Sequence, residues 1–247
     1  MGTIYILWLR QLKKYKRSPA RMVASVGQPL LFLLALGFGF GPIFQKAGGG
    51  NYIQFLAPGI IAMSILFAAM FSGIETIWDK RFGFLKETLV APVSRFQIMA
   101  GRTLGGATVA TFQGFVVLGI SMLAGFSPSF SLLPFAIILM LLISLLFTAL
   151  GTAIATFVED MQAFPLIMNF LVMPTFFLSG ALFPVVGSSG AIASIAKVNP
   201  LAYGVEGLRN TLALGTTSNL AIDFLVLGLL TIVLLALGTY FFKKMEA

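Results

Sequence analysis

Reactive side chains are scarce in this sequence. Its 247 residues include no histidine and no cysteine, which excludes disulfides, thiolate chemistry, imidazole metal sites and any Ser-His or Cys-His nucleophile. No glycine is followed by lysine, so the chain has no G-x-x-x-x-G-K-[ST] loop to cradle a nucleotide phosphate. The charged residues, 10% of the chain, are gathered rather than scattered. Their longest run is residues 79–102, DKRFGFLKETLVAPVSRFQIMAGR, which holds Asp79, Lys80, Arg81, Lys86, Glu87, Arg95 and Arg102. A Lys, Arg or Asp at the centre of a membrane helix costs ~2.5–3.5 kcal/mol. This stretch is therefore expected in water.

The same stretch carries helical spacing. Phe82, Leu85 and Leu89 fall three and four apart, as do Phe84 and Thr88, with Lys86 and Glu87 on another side, which predicts one short amphipathic helix. Pro92 disfavours helix at Ala91 and ends it. Ser94 with Gln97 three residues on predicts a capping box that opens a new helix toward Gly101. A helix, a sharp break and a second helix suit docking onto a cytosolic partner; an interfacial elbow that only turns the chain fits the spacing equally well.

The elements that hold this stretch are membrane spans. The chain is 58% hydrophobic with a mean hydropathy of +0.99, the composition of a polytopic membrane protein. About 20 apolar residues cross ~30 Å of hydrocarbon, and six segments qualify: 22–44, 53–78, 104–126, 132–158, 164–183 and 221–242. Outside them, one side receives thirteen Lys and Arg residues from the N-terminal segment, the 79–103 loop and the tail, and the other receives Lys46, Lys197 and Arg209. By the positive-inside rule both termini and the long loop are cytoplasmic. The net charge of +8 lies at these borders, without an aromatic platform, and so does not indicate nucleic acid. Glu159 and Asp160 go against the trend and are placed to face Lys or Arg of a neighbouring element.

The remaining segments read as follows. In residues 1–21, Ile4, Leu7, Trp8, Leu12 and Tyr15 mark one face and Arg10, Lys13, Lys14 and Arg17 the other, predicting a helix flat on the membrane surface, as an anchor or a further contact for a soluble partner. Gly37 with Gly41, and Gly101 with Gly105, permit close helix approach. The fifth span is irregular, with Pro165, Pro174, Pro184 and Asn169; it either lines a pathway or is kinked for shape alone. Residues 184–220 predict an outer segment that re-enters the outer leaflet or lies across its surface: a short helix at 191–198, a break at Asn199-Pro200, and a second helix at 201–214 in which Glu206 and Arg209 can pair on one face. Leu178-Ser179-Gly180 carries no signal. Carboxylates near mid-membrane, the coupling groups of ion-driven carriers, are missing: Glu75 lies near one end of the second span and Asp223 at the outer start of the sixth.

Six spans with both ends inside, the helix-Pro-Ser-helix loop with Leu89 to Arg95 reading L-V-A-P-V-S-R, and the outer Asn199-Pro200-Leu201-Ala202-Tyr203 with Glu206-Gly207-Leu208-Arg209 occur together. The chain thereby resembles, over essentially its whole length, the permease subunit of ABC-2 type ATP-binding-cassette exporters. Ala91 stands where the family usually has Ser. The resemblance implies an all-α polytopic membrane protein forming a single transmembrane domain, 1–247, with six transmembrane helices, an N-terminal interfacial helix, a cytoplasmic coupling helix and short outer re-entrant helices before the last span. It implies a bacterial or archaeal cytoplasmic (inner) membrane, a second permease copy, a homodimer by preference, and separate ABC ATPase subunits that bind ATP and Mg; no cofactor belongs to this chain. Carried over by position, Phe84, Leu85, Lys86, Glu87, Leu89 and Val90 contact the ATPase and Ser94 caps the return helix; Phe67, Phe71, Asn169, Met173 and Phe176 lie along the path; Asn199, Pro200, Tyr203, Glu206 and Arg209 mark the outer segment. The cargo implied is amphipathic, lipidic, drug-like or a polysaccharide. An ion-coupled secondary carrier and a non-transporting scaffold are the competing readings.

Overall fold

The computed structural model describes residues 2–46, 50–90, 92–158, 160–184 and 191–244. Every regular element among them is helical: α1 (Thr3–Lys16), α2 (Pro19–Lys46), α3 (Tyr52–Arg81), α4 (Phe84–Val90), α5 (Arg95–Leu123), α6 (Leu133–Phe157), α7 (Ala163–Phe177), α8 (Ala191–Val198), α9 (Pro200–Leu208), which continues as a π-helical turn over Arg209–Leu214, and α10 (Leu220–Lys244). Lipid offers no hydrogen bonds, so the backbone must satisfy itself, and helices do so. Hydroxyls within the spans follow the same logic: Ser64, Ser72, Ser121, Thr156 and Thr231 each donate to a carbonyl three or four residues back.

Among the described residues, five helices are long and apolar enough to cross a membrane: the part of α2 from Ser25, α3, α5, α6 joined to the turn before it, and α10. The fifth expected span, 164–183, is shorter than its hydropathy suggests. Helix α7 has 15 residues, ~22 Å at 1.5 Å per residue, and ends at Phe177. Beyond it the chain turns, with Gly180 at φ +76°, toward Pro184.

Helix α3 is the centre of the bundle, flanked by α2, α5, α6 and α7 and capped at its far end by α9. In its most apolar window 72% is buried, against 17% for α2 and 22% for α10, which form the periphery. Glycines allow the central helices to touch. A Cβ on Gly73 of α3 would collide with the carbonyl of Gly151 in α6, and one on Gly106 of α5 would strike Ser72 and Thr148. The Thr111 and Ser144 hydroxyls, 2.8 Å apart, join α5 to α6 inside the apolar core.

The predicted glycine pairs separate in use. Gly101 and Gly105 accept α1, whose Leu7 and Gln11 a Cβ at either glycine would strike, whereas Gly41 meets nothing within 4 Å. Helix α1 is thus fastened to α5, burying Leu7, Gln11 and Tyr15, with Trp8 Nε1 donating to Thr108 Oγ1 at 3.0 Å. Its basic face is divided accordingly: Arg10 and Lys14 turn inward, while Lys13 and Arg17 stay exposed.

Candidate functional site

Helix α4 is a two-turn helix between two breaks. The first is not the one that the spacing suggests. Helix α3 runs on to Arg81, Phe82 serves as its C-cap, and Gly83 turns the chain at φ +82°, a conformation that glycine adopts without strain. Phe82 therefore precedes α4 rather than forming part of its face. The second break is as expected: Ser94 Oγ accepts from Gln97 N at 3.2 Å and Gln97 Oε1 from Ser94 N at 3.4 Å, a full capping box that starts α5 at Arg95, nine residues before the expected span. On α4, Phe84, Glu87 and Val90 are exposed, Val90 at 77%. The Leu85, Lys86 and Leu89 side chains, and Ala91 as a whole, lie outside the described residues.

Beneath α4 lies a buried ion cluster that corrects the expectation of water around every charge in 79–102. Asp79 and Arg102 are each only 3% exposed. Because α3 continues past residue 78, Asp79 lies on the bundle side of its last turns, where Arg102 Nη2 of α5 donates to Oδ2 at 2.8 Å, and Arg10 Nη2 and Lys14 Nζ of α1 donate to Oδ1 at 2.7 and 3.1 Å. Arg102 Nη1 also donates to Thr76 Oγ1 at 3.2 Å, and Lys14 lies 3.9 Å from Glu75. A buried carboxylate survives when its charge and its lone pairs are both matched, and three cations match this one. Arg10 then reaches outward, its guanidinium 5.5 Å from the centroid of the Phe84 ring. One side chain thus joins the cluster to α4.

The residues expected along a path are not gathered in one place. Phe67 and Phe71 stack at 6.3 Å and line a cavity of about 370 Å³ between α1, α2, α3 and α5, with Gln28, Gln113 and Trp78. Asn169 is exposed on α7 beside Leu166 and Phe170, Met173 is half-buried, and Phe176 is fully buried with its ring edge-on to Phe32 of α2. Asp160 Oδ1 accepts from Gln162 N at 2.9 Å, a local turn bond just before α7; Glu159 lies outside the described residues.

On the opposite end, the helix-break-helix expected before the last span is present from Ala191 on; residues 185–190 lie outside the described residues. Asn199 caps α9 by accepting from Leu201 N and donates to Thr175 O at 2.7 Å, Pro200 takes the first helical position, and the Tyr203 hydroxyl donates to Lys197 O. The expected Glu206–Arg209 pair does not form. The turn from Arg209 on is π-helical, which swings the guanidinium onto the face of Phe55 at 3.9 Å, where it donates to the carbonyls of Phe55 and Gly180 at 3.3 and 2.9 Å. Glu206 accepts instead from Asn219. Burial pushes the Arg209 guanidinium down to about 10, partly offset by Glu206, so it stays charged at neutral pH.

Residues 3–213 match the sequence profile of the ABC-2 type transporter family. The chain belongs to that family. Among its relatives, "Nodulation protein J" of Rhizobium leguminosarum bv. viciae is 26% identical over 241 residues, covering 96% of this chain and 93% of the relative. "Putative transport permease ycf38" of Porphyra purpurea is 33% identical over 201 residues, 78% of this chain and 68% of the relative, and that of Cyanophora paradoxa 28% identical over 214 residues, 83% and 72%. The chain is accordingly an ABC-2 type permease: a multi-pass membrane transport component, not itself a catalyst. The matched ABC-2 region runs from α1 into the π-helical turn and holds α4, the Asp79 cluster and Arg209. Sequence reading missed the Asp79 cluster, although one signal was present: Glu75 and Asp79, four apart on one helical face, can only be matched by cations from other elements.

Proposed function

We propose that this permease is the membrane-spanning half of an ATP-driven exporter in a bacterial or archaeal cytoplasmic membrane. Two copies pair, and separate ABC ATPase subunits, which bind the ATP and Mg²⁺, dock on α4. The observation that carries this reading is the position of Arg10, which is hydrogen-bonded to Asp79 and lies over the Phe84 ring. It gives an exposed two-turn helix, too short to be stable alone, a stiff connection to α1, α3 and α5 together. Closure of the ATPases moves α4, and the cluster passes that movement to three helices at once. Work comes from the difference in affinity of the ATP-bound ATPases for two arrangements of the bundle.

The orientation that puts α4 in the cytosol rests on thirteen Lys and Arg residues against three. Pairing is supported by α7, where the exposed amide of Asn169 sits on an apolar face and needs a hydrogen-bonding partner that lipid does not supply. Among the described spans the carboxylates are Glu75 and Asp79 near one end and Asp223 at the other, which favours an ATP-driven device over an ion-coupled carrier. The cargo is amphipathic, whether lipidic, drug-like or a lipid-linked polysaccharide, as the aromatic and amide lining of the Phe67–Phe71 cavity suits.

The test is purification of the tagged protein from its own host in mild detergent, beside Glu87→Arg and Val90→Asp, both at exposed α4 positions. The expected result is an ABC ATPase that accompanies the wild type and is lost from the variants. A wild-type protein that purifies without any ATPase and moves cargo on an ion gradient overturns the reading in favour of a carrier, and one that moves nothing in favour of a scaffold.

A further inference from the structure

A groove of about 640 Å³ runs between α1 and the junction of α3 with α4. One wall is cationic, from Arg10, Lys13, Lys14 and Arg17, and the facing wall is aromatic, from Trp78 and Phe82. Asp79, the carboxylate at its base, is already bound to Arg10, Lys14 and Arg102. Lys13 and Arg17 are exposed, and among the described residues no carboxylate lies within ion-pair distance of either. Four cations line the groove beside one carboxylate, Asp79, which leaves a positive surplus. The aromatic wall is equally uncovered, with Trp78 45% and Phe82 69% exposed.

Depth decides what occupies such a groove. Helix α3 has 30 residues, ~45 Å at 1.5 Å per residue, which equals the thickness of a bilayer including its headgroups. A helix that begins at one surface with Tyr52 therefore has its last turn, with Trp78 and Asp79, among the headgroups of the other. An acidic protein segment would answer the cations but would leave two aromatic rings against the headgroup layer. A phospholipid answers both walls.

We propose that this groove binds the phosphate of an anionic phospholipid of the cytosolic leaflet, with Lys13, Lys14 and Arg17 around the phosphate and the upper acyl carbons on Trp78 and Phe82. Because Arg10 in the same wall holds both Asp79 and the Phe84 ring, the bound lipid fixes α1 against α4, and membrane composition sets how firmly α4 is held. The inference goes beyond the export reading and needs only that this end of α3 faces the cytosol, so it is tested on the permease without an ATPase.

Trp8 and Trp78 are the two tryptophans of the chain, and Trp8→Phe leaves Trp78 as a single reporter inside the groove. The variant is reconstituted in phosphatidylcholine vesicles containing either phosphatidylglycerol or phosphatidylcholine brominated on the upper acyl carbons, and quenching of Trp78 is followed as the brominated lipid is increased. Phosphatidylglycerol is expected to quench at lower mole fraction. Lys13→Gln with Arg17→Gln, both exposed and outside the ion cluster, is expected to weaken that preference roughly tenfold or more, since each surface cation contributes about a factor of five. Inorganic phosphate is expected not to compete. Equal quenching by the two lipids, or a preference that survives the double substitution, overturns the proposal; displacement by inorganic phosphate overturns it in favour of a soluble-anion site.

Discussion

A carboxylate taken out of water costs several kcal/mol unless its partners restore what the water gave, and Asp79 has three cations within 3.1 Å to do so. Removing it leaves Arg102, buried as deeply, without the carboxylate it is hydrogen-bonded to. Asp79→Ala is therefore expected to destabilise the protein by about 3–5 kcal/mol, read as a lower midpoint of thermal unfolding in detergent, whereas Glu87→Ala on the exposed face of α4 is expected to change it by less than about 0.5 kcal/mol. Arg209 makes a second residue-scale case. Its planar guanidinium lies on Phe55 and donates to two carbonyls, a geometry that an ammonium cannot copy. Arg209→Lys is expected to cost about 2 kcal/mol in the same measurement. The capping box and the Asp79 cluster differ in what the sequence discloses. Ser94 and Gln97 are three residues apart, so their capping box is legible; the partners of Asp79 are 23, 65 and 69 residues away, and only the packing of α1 on α5 brings them together.

Elements follow the same division between local and distant causes. The short helix, the outer helix-break-helix and the long spans are set by apolar spacing, prolines and caps within a few residues, and their existence is legible. Their ends are less so. Helix α3 outruns its apolar stretch because Asp79 finds partners, and α7 falls short of its hydropathic length because Gly180 turns the chain. Gly83 is the hinge from which α4 departs, and it meets nothing that a side chain would strike. Gly83→Val is therefore a test of angle alone. A β-branched residue at φ +82° costs about 1–2 kcal/mol or drives the backbone elsewhere, so the variant is expected to keep the melting behaviour of the bundle within that margin while losing the ATPase on purification. Gly105→Leu, which would strike Gln11, is expected to detach α1 from α5 and expose it to proteolysis.

For the whole molecule, the two ends do different work. One carries α4, the ion cluster and the basic groove; the other is closed by α8, α9 and the Arg209 turn. Between them the periphery, α2, α7 and α10, keeps large apolar side chains exposed, Phe170 at 88% among them. Lipid covers most of such a surface, but not the Asn169 amide. Asn169→Leu is expected to weaken self-association severalfold, the ~0.6–2 kcal/mol of an intramembrane hydrogen bond, in cross-linking of the protein in detergent. Which helix would face a second copy under the proposed pairing is not legible beyond the polar residue itself, because one chain's sequence does not show it. The absence of cysteine gives the most direct test of the central claim, that α4 carries the ATPase. In membranes of its own host, Glu87→Cys and, as a control at the opposite end, Ser218→Cys each provide a single thiol for a short photoreactive cross-linker. The account predicts an adduct between the α4 thiol and an ABC ATPase, altered in yield by ATP, and none from Ser218→Cys. An α4 thiol that forms no such adduct, or forms it no better than the control, contradicts it.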